Sequence, residues 1–456
     1  MFKFIKEYIG LYALLFFLSY CSIYNFPFVT PLISALILWV SYYILLKRKR
    51  LEVVLILILY SRCLSGFVIP HNKLFFDLFN ILANIVPILL YFYSCLLTNK
   101  TTFNYEVLKK FKFTGLFFLL ITLSFIINFS TAYDLITKRY LPFALFTVLL
   151  FFFNHPNDFD FNALIRFFRA SFLAVILIYF GPNFLYKMTA LIESDSVFGT
   201  ASPPRSFSLV YFSLERNLGF TWDHRIMAIL AYLFLMLSLT QKPKYYALDI
   251  LLSLSVVLTS TSRGGMITYF LILMAFFFQK YRKFFSLGVV ALVALTIMLY
   301  ALIKLNPSNQ LSAFLISFNP KAEHNAMTQR EFFSNYSLVS FKESPIIGHG
   351  VGHLSSVLID RNLIVDGAVV PAVGDAYWYV LLAEMGVIGF LLYVLFLLEV
   401  FYSSSILNVA LLLGFSIQLL GTDIPDIRFF YLAILILVYQ INARLKLNLE
   451  QANKTR

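Results

Sequence analysis

The stretch GDAYWYVLLAEMGVIG, residues 374–389, decides the fold. It places Asp375 at the start of an apolar run, Glu384 nine residues further on and a Gly-x-x-Gly sequence eleven residues further on. The run continues to about residue 400, which is long enough to cross a hydrocarbon core. Ionised side chains are costly at a bilayer and persist mainly where they line a functional cavity. The stretch therefore predicts a transmembrane helix that begins beside a polar site.

The composition extends this prediction to the whole chain. Its 456 residues are 60% hydrophobic and only 13% charged, and the mean hydropathy is +0.81. A soluble domain cannot bury so much apolar surface. We predict an all-α, polytopic integral membrane protein with about 14 transmembrane helices. Helices 1–11 and a periplasmic loop at 187–224 fall in residues 1–304, a large periplasmic loop in 305–373, and helices 12–14 with a cytoplasmic tail in 374–456.

The basic residues orient this bundle. Clusters at 47–50, 109–112, 280–283 and 444–456 fall on one side if the spans alternate, and only 138–139 falls on the other. By the positive-inside rule the protein has its N-terminus and C-terminus inside, as a multi-pass protein of the bacterial inner membrane. The net charge of +13 then reflects orientation, because clusters separated by spans do not form a nucleic-acid surface.

Neither a metal site nor a cofactor site is predicted. The three cysteines lack metal-type spacing. His349 and His353 lie in a glycine-rich loop, where solvated histidines are a simpler interpretation than a metal pair. The chain also has no glycine-rich loop of the kind that cradles a nucleotide.

Arginines in the outer segments indicate an anion site. Arg216 lies in the first long outer segment and Arg330 in the second, while Arg263 lies in the short turn Ser262-Arg263-Gly264-Gly265. Guanidinium groups bind phosphate bidentately and stay charged. We therefore predict a pyrophosphate site, as on an isoprenoid-linked sugar. The alternative is an ordinary solvated arginine, which is our interpretation of Arg205 and Arg361.

The chemistry expected at such a site is glycosyl transfer. An acceptor hydroxyl attacks the anomeric carbon while the pyrophosphate leaves, so a carboxylate such as Asp375 serves as general base. The arginines stabilise the charge on the leaving group. Glu384 lies about two and a half helical turns deeper and either tunes Asp375 or ties the helix to a neighbour.

Four segments in order carry a family resemblance. They are the Arg216-containing segment 215–224, the Ser262-Arg263-Gly264 turn, Arg330 followed by Pro-x-x-Gly-x-Gly-x-Gly at 345–352, and the opening stretch. Together they resemble the O-antigen polymerase and ligase superfamily. The resemblance implies pyrophosphate-binding roles for Arg216, Arg263 and Arg330. It implies supporting roles for Glu384, Gly348, Gly350 and Gly352.

One departure bears on the type of enzyme. Ligases of this superfamily carry His-Asn or a similar pair at the end of the large loop, where this chain has Asp375-Ala376. The spacing from aspartate to Gly-x-x-Gly is instead similar to that of the peptidoglycan glycosyltransferases of the shape, elongation, division and sporulation family. Their aspartate at this place is catalytic, which implies a catalytic Asp375 and favours a polymerase.

The resemblance thus implies polymerisation of undecaprenyl-pyrophosphate-linked repeat units into O-antigen or capsule at the periplasmic face. The expected partners are the lipid-linked glycan donor and acceptor, membrane lipids and a chain-length regulator, with no nucleic acid. Two alternatives stay open. A ligase would transfer the same donor to lipid A-core, whereas a lipid-linked oligosaccharide flippase would place its charges through the bilayer midplane.

Overall fold

The fold is described by a computed structural model. The described residues are 29–48, 51–66, 73–96, 111–127, 133–152, 159–179, 207–209, 212–214, 224–260, 262–280, 325–351, 353–354, 364–365, 368–369, 377–401, 405–420 and 428–454. This part of the chain is helical apart from two short antiparallel hairpins. The predicted spans near 8–24 and 284–303 lie outside it.

The helices follow one another in chain order, with one hairpin before α7 and one before α11. The helices are α1 (Val29–Arg48), α2 (Leu51–Gly66), α3 (Lys73–Leu96), α4 (Lys112–Ile127), α5 (Tyr133–Phe152), α6 (Phe161–Tyr179), α7 (His224–Gln241), α8 (Tyr246–Ser260), α9 (Arg263–Lys280), α10 (Asn325–Glu343), α11 (Tyr377–Phe401), α12 (Ile406–Leu419) and α13 (Arg428–Lys454). The hairpins pair β1 (Phe207–Leu209) with β2 (Phe212–Leu214) and β3 (Ile364–Val365) with β4 (Ala368–Val369).

The outward faces of the helices are apolar. On α1 the exposed side chains are Leu32, Leu36, Trp39, Tyr43 and Leu46, which follow the three- and four-residue spacing of one helical face. Soluble monomers rarely expose contiguous apolar stripes of this kind. Among the described residues, Tyr377–Phe401 and Phe429–Lys446 are long and apolar enough to cross a membrane, and nine further apolar helical segments have 10–17 residues. These helices support a membrane protein, while the number of fourteen spans stays a prediction.

Helix α7 lies at the centre of the bundle. Its residues 226–237 are completely buried, and it packs against α6, α8, α9 and α13. Helix α2, buried along 51–61, and the first four turns of α13 complete this core. The outer helices thus screen the central ones on every side, so the apolar character of α7 serves packing between helices.

Two carboxylates tie helices together at the end that the charge pattern predicts to be cytoplasmic. Buried Asp249 forms a bidentate ion pair with Arg169 of α6, in which Nη2 lies 2.8 Å from Oδ2, and it accepts a bond from Ser238. Glu399 near the end of α11 accepts bonds from the backbone N–H groups of Phe113 and Thr114 at 2.9 and 2.7 Å. It therefore caps α4, whose first-turn N–H groups have no partner within the helix.

Candidate active site

Helix α11 is broken at Gly386. This residue has φ 61° and ψ −167°, a conformation that is essentially restricted to glycine. In an unbroken helix, the N–H groups of Val387 and Ile388 would bond the carbonyls of Ala383 and Glu384, four residues earlier. The break removes those two bonds in the middle of a long apolar helix, where backbone polar groups must find other partners.

The loop after α10 supplies those partners. Four backbone bonds join it to the break: Val387 N to Pro345 O at 2.9 Å, Ile388 N to Ile346 O at 3.2 Å, His349 N to Ala383 O at 3.1 Å and Gly350 N to Glu384 O at 2.7 Å. Two helical bonds are thus exchanged for four bonds between segments. We call this arrangement, formed by residues 345–350 and 383–388, the glycine clasp.

Two glycines make the clasp possible. Gly348 has φ 70°, and a Cβ placed on it would lie 2.4 Å from the carbonyl group of Glu384. A Cβ placed on Gly386 would lie 2.3 Å from the carbonyl oxygen of Ile346. Both distances are far below normal contact, and the neighbouring atoms are backbone that cannot rotate away. The Pro-x-x-Gly-x-Gly and Gly-x-x-Gly sequences are therefore two halves of one structural unit.

Helix α10 leads directly into the clasp and packs on α11. Tyr336 of α10 packs against a small cluster formed by Leu354, Val380 and Ala383. Within the loop, the Ser344 hydroxyl donates a bond to the carbonyl of Gly348 at 3.0 Å. The segment predicted as a large loop therefore contains a 19-residue helix whose end is bonded to the interior of α11.

The loop histidines lie on the same unit. His349 bonds the carbonyl of Ser340 through Nε2 at 2.9 Å, and its ring stacks on that of His353 with centroids 4.6 Å apart. Burial lowers the pKa of His353, His349 lowers it further, and Glu343 acts in the opposite direction. Within the described residues, no three histidine, cysteine, aspartate or glutamate side chains are grouped to hold a metal.

The Ser262-Arg263-Gly264-Gly265 turn begins α9 in a crowded place. The N–H of Gly265 donates to the Ser262 hydroxyl at 3.3 Å, which caps the helix. A Cβ on Gly264 would lie 2.5 Å from Oε1 of Gln418, and one on Gly265 would lie 2.3 Å from Cβ of Ala228. Helix α9 therefore fits tightly between α7 and α12, which the lack of side chains on these two glycines permits.

The starts of α9 and α11 both contact the last turns of α12. The indole N–H of Trp378 donates to the carbonyl of Ser416 at 2.9 Å. Two residues further on, Nε2 of Gln418 lies 3.4 Å from the Ser262 hydroxyl. The final turns of α12 (Ile406–Leu419) therefore contact both helix starts. Arg263 is the first residue of α9, and α11 begins two residues after Asp375 in sequence.

The predicted site residues divide into three groups. Asp375, Arg216 and Gly352 lie outside the described residues. Arg263 and Arg330 are described as parts of helices α9 and α10, without their side chains. Glu384, Gly348 and Gly350 all belong to the clasp, and Glu384 is 3% exposed, in line with its depth in the span. The functional roles of all eight stay predictions.

The sequence pattern does not reveal the helix break at Gly386 or the backbone bonds that join it to the loop beginning at Pro345. The available signal was a glycine in the interior of a span together with a second glycine-rich sequence in a loop.

Residues 248–394 match a family model described as O-antigen ligase. The match supports the O-antigen polymerase and ligase superfamily. The matched region covers about a third of the chain, from α8 through the clasp.

Members of this family are glycosyltransferase-like enzymes that act on polysaccharide. The family model does not separate polymerases from ligases, and Arg216 lies before the matched residues. Among curated proteins, none matches the chain. The structural features that the match includes are the α9 turn, helix α10 and the clasp.

Proposed function

We propose that the protein polymerises undecaprenyl-pyrophosphate-linked repeat units into O-antigen or capsular polysaccharide at the periplasmic face of the inner membrane. The observation that carries the proposal is that the α9 start and the α11 start both contact the last turns of α12, through Ser262 and Trp378. These contacts support a shared site for Arg263 and Asp375, which are separated by more than 100 residues in sequence. The family match supports the transferase class.

In the proposed reaction Asp375 takes the proton of an acceptor sugar hydroxyl. The hydroxyl oxygen forms a bond to the anomeric carbon of the donor, and the bond from that carbon to the pyrophosphate oxygen breaks. The lipid pyrophosphate leaves with the electron pair, and Arg216, Arg263 and Arg330 stabilise its charge. Helix α9 begins at Arg263, so the positive end of its dipole lies at the same end of the bundle and also favours an anion.

The choice of polymerase over ligase rests on Asp375-Ala376, at the position where ligases of the superfamily carry His-Asn or a similar pair. A carboxylate is charged at neutral pH and accepts a proton directly, as a general base requires. The proposed donor and acceptor are both undecaprenyl-pyrophosphate-linked glycans. No cofactor enters the reaction because the pyrophosphate linkage supplies the driving force, and a chain-length regulator is the proposed protein partner.

The decisive experiment is the banding pattern of surface polysaccharide in a deletion strain. A polymerase predicts that the lipid A-core carries a single repeat unit. Core without any repeat would identify a ligase, and lipid-linked intermediate accumulating on the cytoplasmic side would identify a flippase. Either of these two patterns would contradict the proposal, and complementation with the intact gene is the control.

The proposed orientation has its own test. Reporter fusions after Arg50, Lys112, Lys244 and Lys283 should report cytoplasm, and fusions near Asn306 and Asp360 should report periplasm. The physical reason is the positive-inside distribution of lysine and arginine. A cytoplasmic 305–373 segment would put the site on the wrong side for the donor lipid and would overturn the catalytic assignment.

A further inference from the structure

We propose that Gly348 and Gly386 are positioning residues for the transferase, because the clasp fixes helix α10 relative to helix α11. The proposal rests on the proposed function in one respect. It assumes that Arg330, in the second turn of α10, and Asp375, just before α11, serve the same reaction. The clasp itself is a feature of the described backbone and is tested separately below.

The connection from the clasp to both helices is short. Residue 345 follows the end of α10 by two residues, so a movement of the clasp loop carries the end of α10 with it. On the other side, Gly386 lies nine residues after the start of α11, about 14 Å along the helix axis. At the far end of the loop, the N–H of Val351 donates a hydrogen bond to the Ser124 hydroxyl of α4 at 2.9 Å. The loop is therefore bonded to two neighbouring helices.

Backbone groups make the bonds between the two segments of the clasp. All four of its bonds join N–H to C=O groups, so side chains at these positions do not provide the attraction. Ile347, which makes none of the four bonds, is 70% exposed. Where the two segments approach most closely, the clasp requires that Gly348 and Gly386 lack a Cβ, because a Cβ on either residue would lie 2.3 to 2.4 Å from the opposite backbone. A single added methyl group must therefore move the loop and α11 apart.

Such a movement should impair turnover more than donor binding. Misplacement of a reacting group by about 1 Å can cost about 100-fold in rate. Two of the three proposed pyrophosphate ligands, Arg216 and Arg263, are not on α10. We therefore expect Gly386→Ala and Gly348→Ala to lower kcat by about 10- to 100-fold and to change the KM for the donor by less than about threefold.

The displacement is measured by the distance between two spin labels, one on each helix. Val339 on α10 and Leu391 on α11 are exposed, at 55% and 53%, and neither takes part in the clasp. They are replaced by cysteine for labelling after the native cysteines at 21, 63 and 95 have been changed to serine. The full-length protein in lipid nanodiscs should give one narrow distance distribution. Gly386→Ala and Gly348→Ala should broaden or shift it, whereas the matched control Ile347→Ala should not.

The results separate as follows. A changed distance together with a lower kcat in both glycine variants supports the proposal. A wild-type distance in Gly386→Ala overturns it, and so does a changed distance with wild-type kcat. If a glycine variant fails to accumulate, Ser344→Ala removes the bond to the Gly348 carbonyl without adding a Cβ. That variant should broaden the distribution slightly and lower kcat a few-fold, and no change in either would overturn the proposal.

Failure of the proposed function is distinguishable from failure of the clasp. The polymerase assignment is tested by the deletion-strain pattern and by Asp375→Asn, a variant that leaves every residue of the clasp unchanged. The clasp proposal is tested by the distance between the two labels, a measurement that requires no substrate. It is also tested by the kcat of the glycine variants, measured with the glycosyl acceptor that the deletion strain identifies.

Discussion

Helix α11 is bonded to neighbouring segments at two places, near its C-terminal end and at Gly386, through different chemical groups. Near its C-terminal end, the Glu399 carboxylate caps α4 with three bonds, including one from the Thr114 hydroxyl at 2.9 Å. At Gly386 the tie is made by backbone alone. A side-chain tie can be weakened in steps, since amide, shorter acid and hydroxyl variants exist. A backbone tie through glycine is lost with the first added carbon.

This difference matches the roles that we assign to the two places. The Glu399 contact belongs to the scaffold, together with the Arg169–Asp249 ion pair. The Gly386 contact belongs to the proposed site. Substitutions at Glu399 should therefore change stability and leave the chemistry intact, whereas substitutions near Gly386 should change the chemistry at unchanged abundance.

The largest effect should follow Asp375→Asn. The amide keeps the size of the side chain but cannot take a proton, so chain extension should fall by about 10²- to 10⁴-fold at unchanged abundance in the membrane. Polymer length and single-turnover extension of a lipid-linked substrate measure it. Asp360→Asn, in the same predicted loop, is the matched control and should behave as wild type.

A companion variant, Asp375→His, introduces the type of residue that ligases carry. It should stay a poor polymerase without becoming a ligase, since acceptor choice depends on the surrounding loop. Wild-type chain length in the Asn variant would remove Asp375 from the mechanism and leave the arginines as the basis of the polymerase proposal.

The next largest effect should follow replacement of the predicted pyrophosphate ligands by lysine. Arg216→Lys, Arg263→Lys and Arg330→Lys keep the charge and lose the bidentate fork. Loss of a charge-assisted bond to the leaving group should cost about 2–4 kcal/mol, or about 30- to 1000-fold in rate. The same extension assay measures it, with Arg361→Lys as the control at a predicted solvated position. Equal losses at Arg361 and at the three sites would argue against a specific anion site.

A smaller effect, on stability, should follow Glu399→Gln. The variant keeps one acceptor oxygen but loses the charge that complements the α4 start, at a cost of about 1 kcal/mol. Thermal unfolding in detergent should show a lower Tm, and kcat should stay within about twofold of wild type. Thr114→Val removes only the hydroxyl bond and should lower Tm less. A large loss of kcat with unchanged Tm would contradict the separate roles that we assign to the Glu399 contact and the Gly386 contact.

The smallest effect should be a change in pH dependence at His353. Its pKa is lowered from 6.5 by burial and by His349, so the unfolded chain binds this proton more readily than the folded one. The contribution of His353 to the free energy of unfolding is therefore fully present above pH 6.5, and it is lost as the pH drops through 6.5 toward the pKa of the folded protein. In His353→Gln the Tm should decline less between pH 7.5 and 5.5. If the decline in Tm is the same as in the wild type, other groups cause the pH dependence. Lys342→Gln, at an exposed position, serves as the control.

The parts of the fold that depend on side-chain polarity were predictable. The apolar span predicted at 375–400 corresponds to the helix Tyr377–Phe401, and Glu384 is buried, as its position inside that helix predicts. Each of these features is local, so hydropathy, spacing and residue size are sufficient to infer it.

Two features were not predictable in this way. Helix α10 lies in a segment that the sequence predicts as a loop, because residues 325–343 mix polar and aromatic side chains without the spacing of an apolar helix face. The clasp joins residues more than 30 positions apart through backbone groups that every residue carries. Sequence patterns reflect the side chains. They draw attention to the glycines of each motif, but they do not indicate that the backbones of the two motifs bond each other.

The complete burial of α7 has a consequence for biogenesis. Residues 226–237 touch only protein in the finished bundle, yet α7 is synthesised before α8, α9 and α13, three of the helices that surround it. It must first reside in lipid as an apolar segment and then exchange lipid for protein contacts, in two stages. The last of those contacts comes from α13, near the C-terminus. A chain truncated before residue 428 would leave α7 partly open to lipid and should be recognised by membrane quality-control proteases.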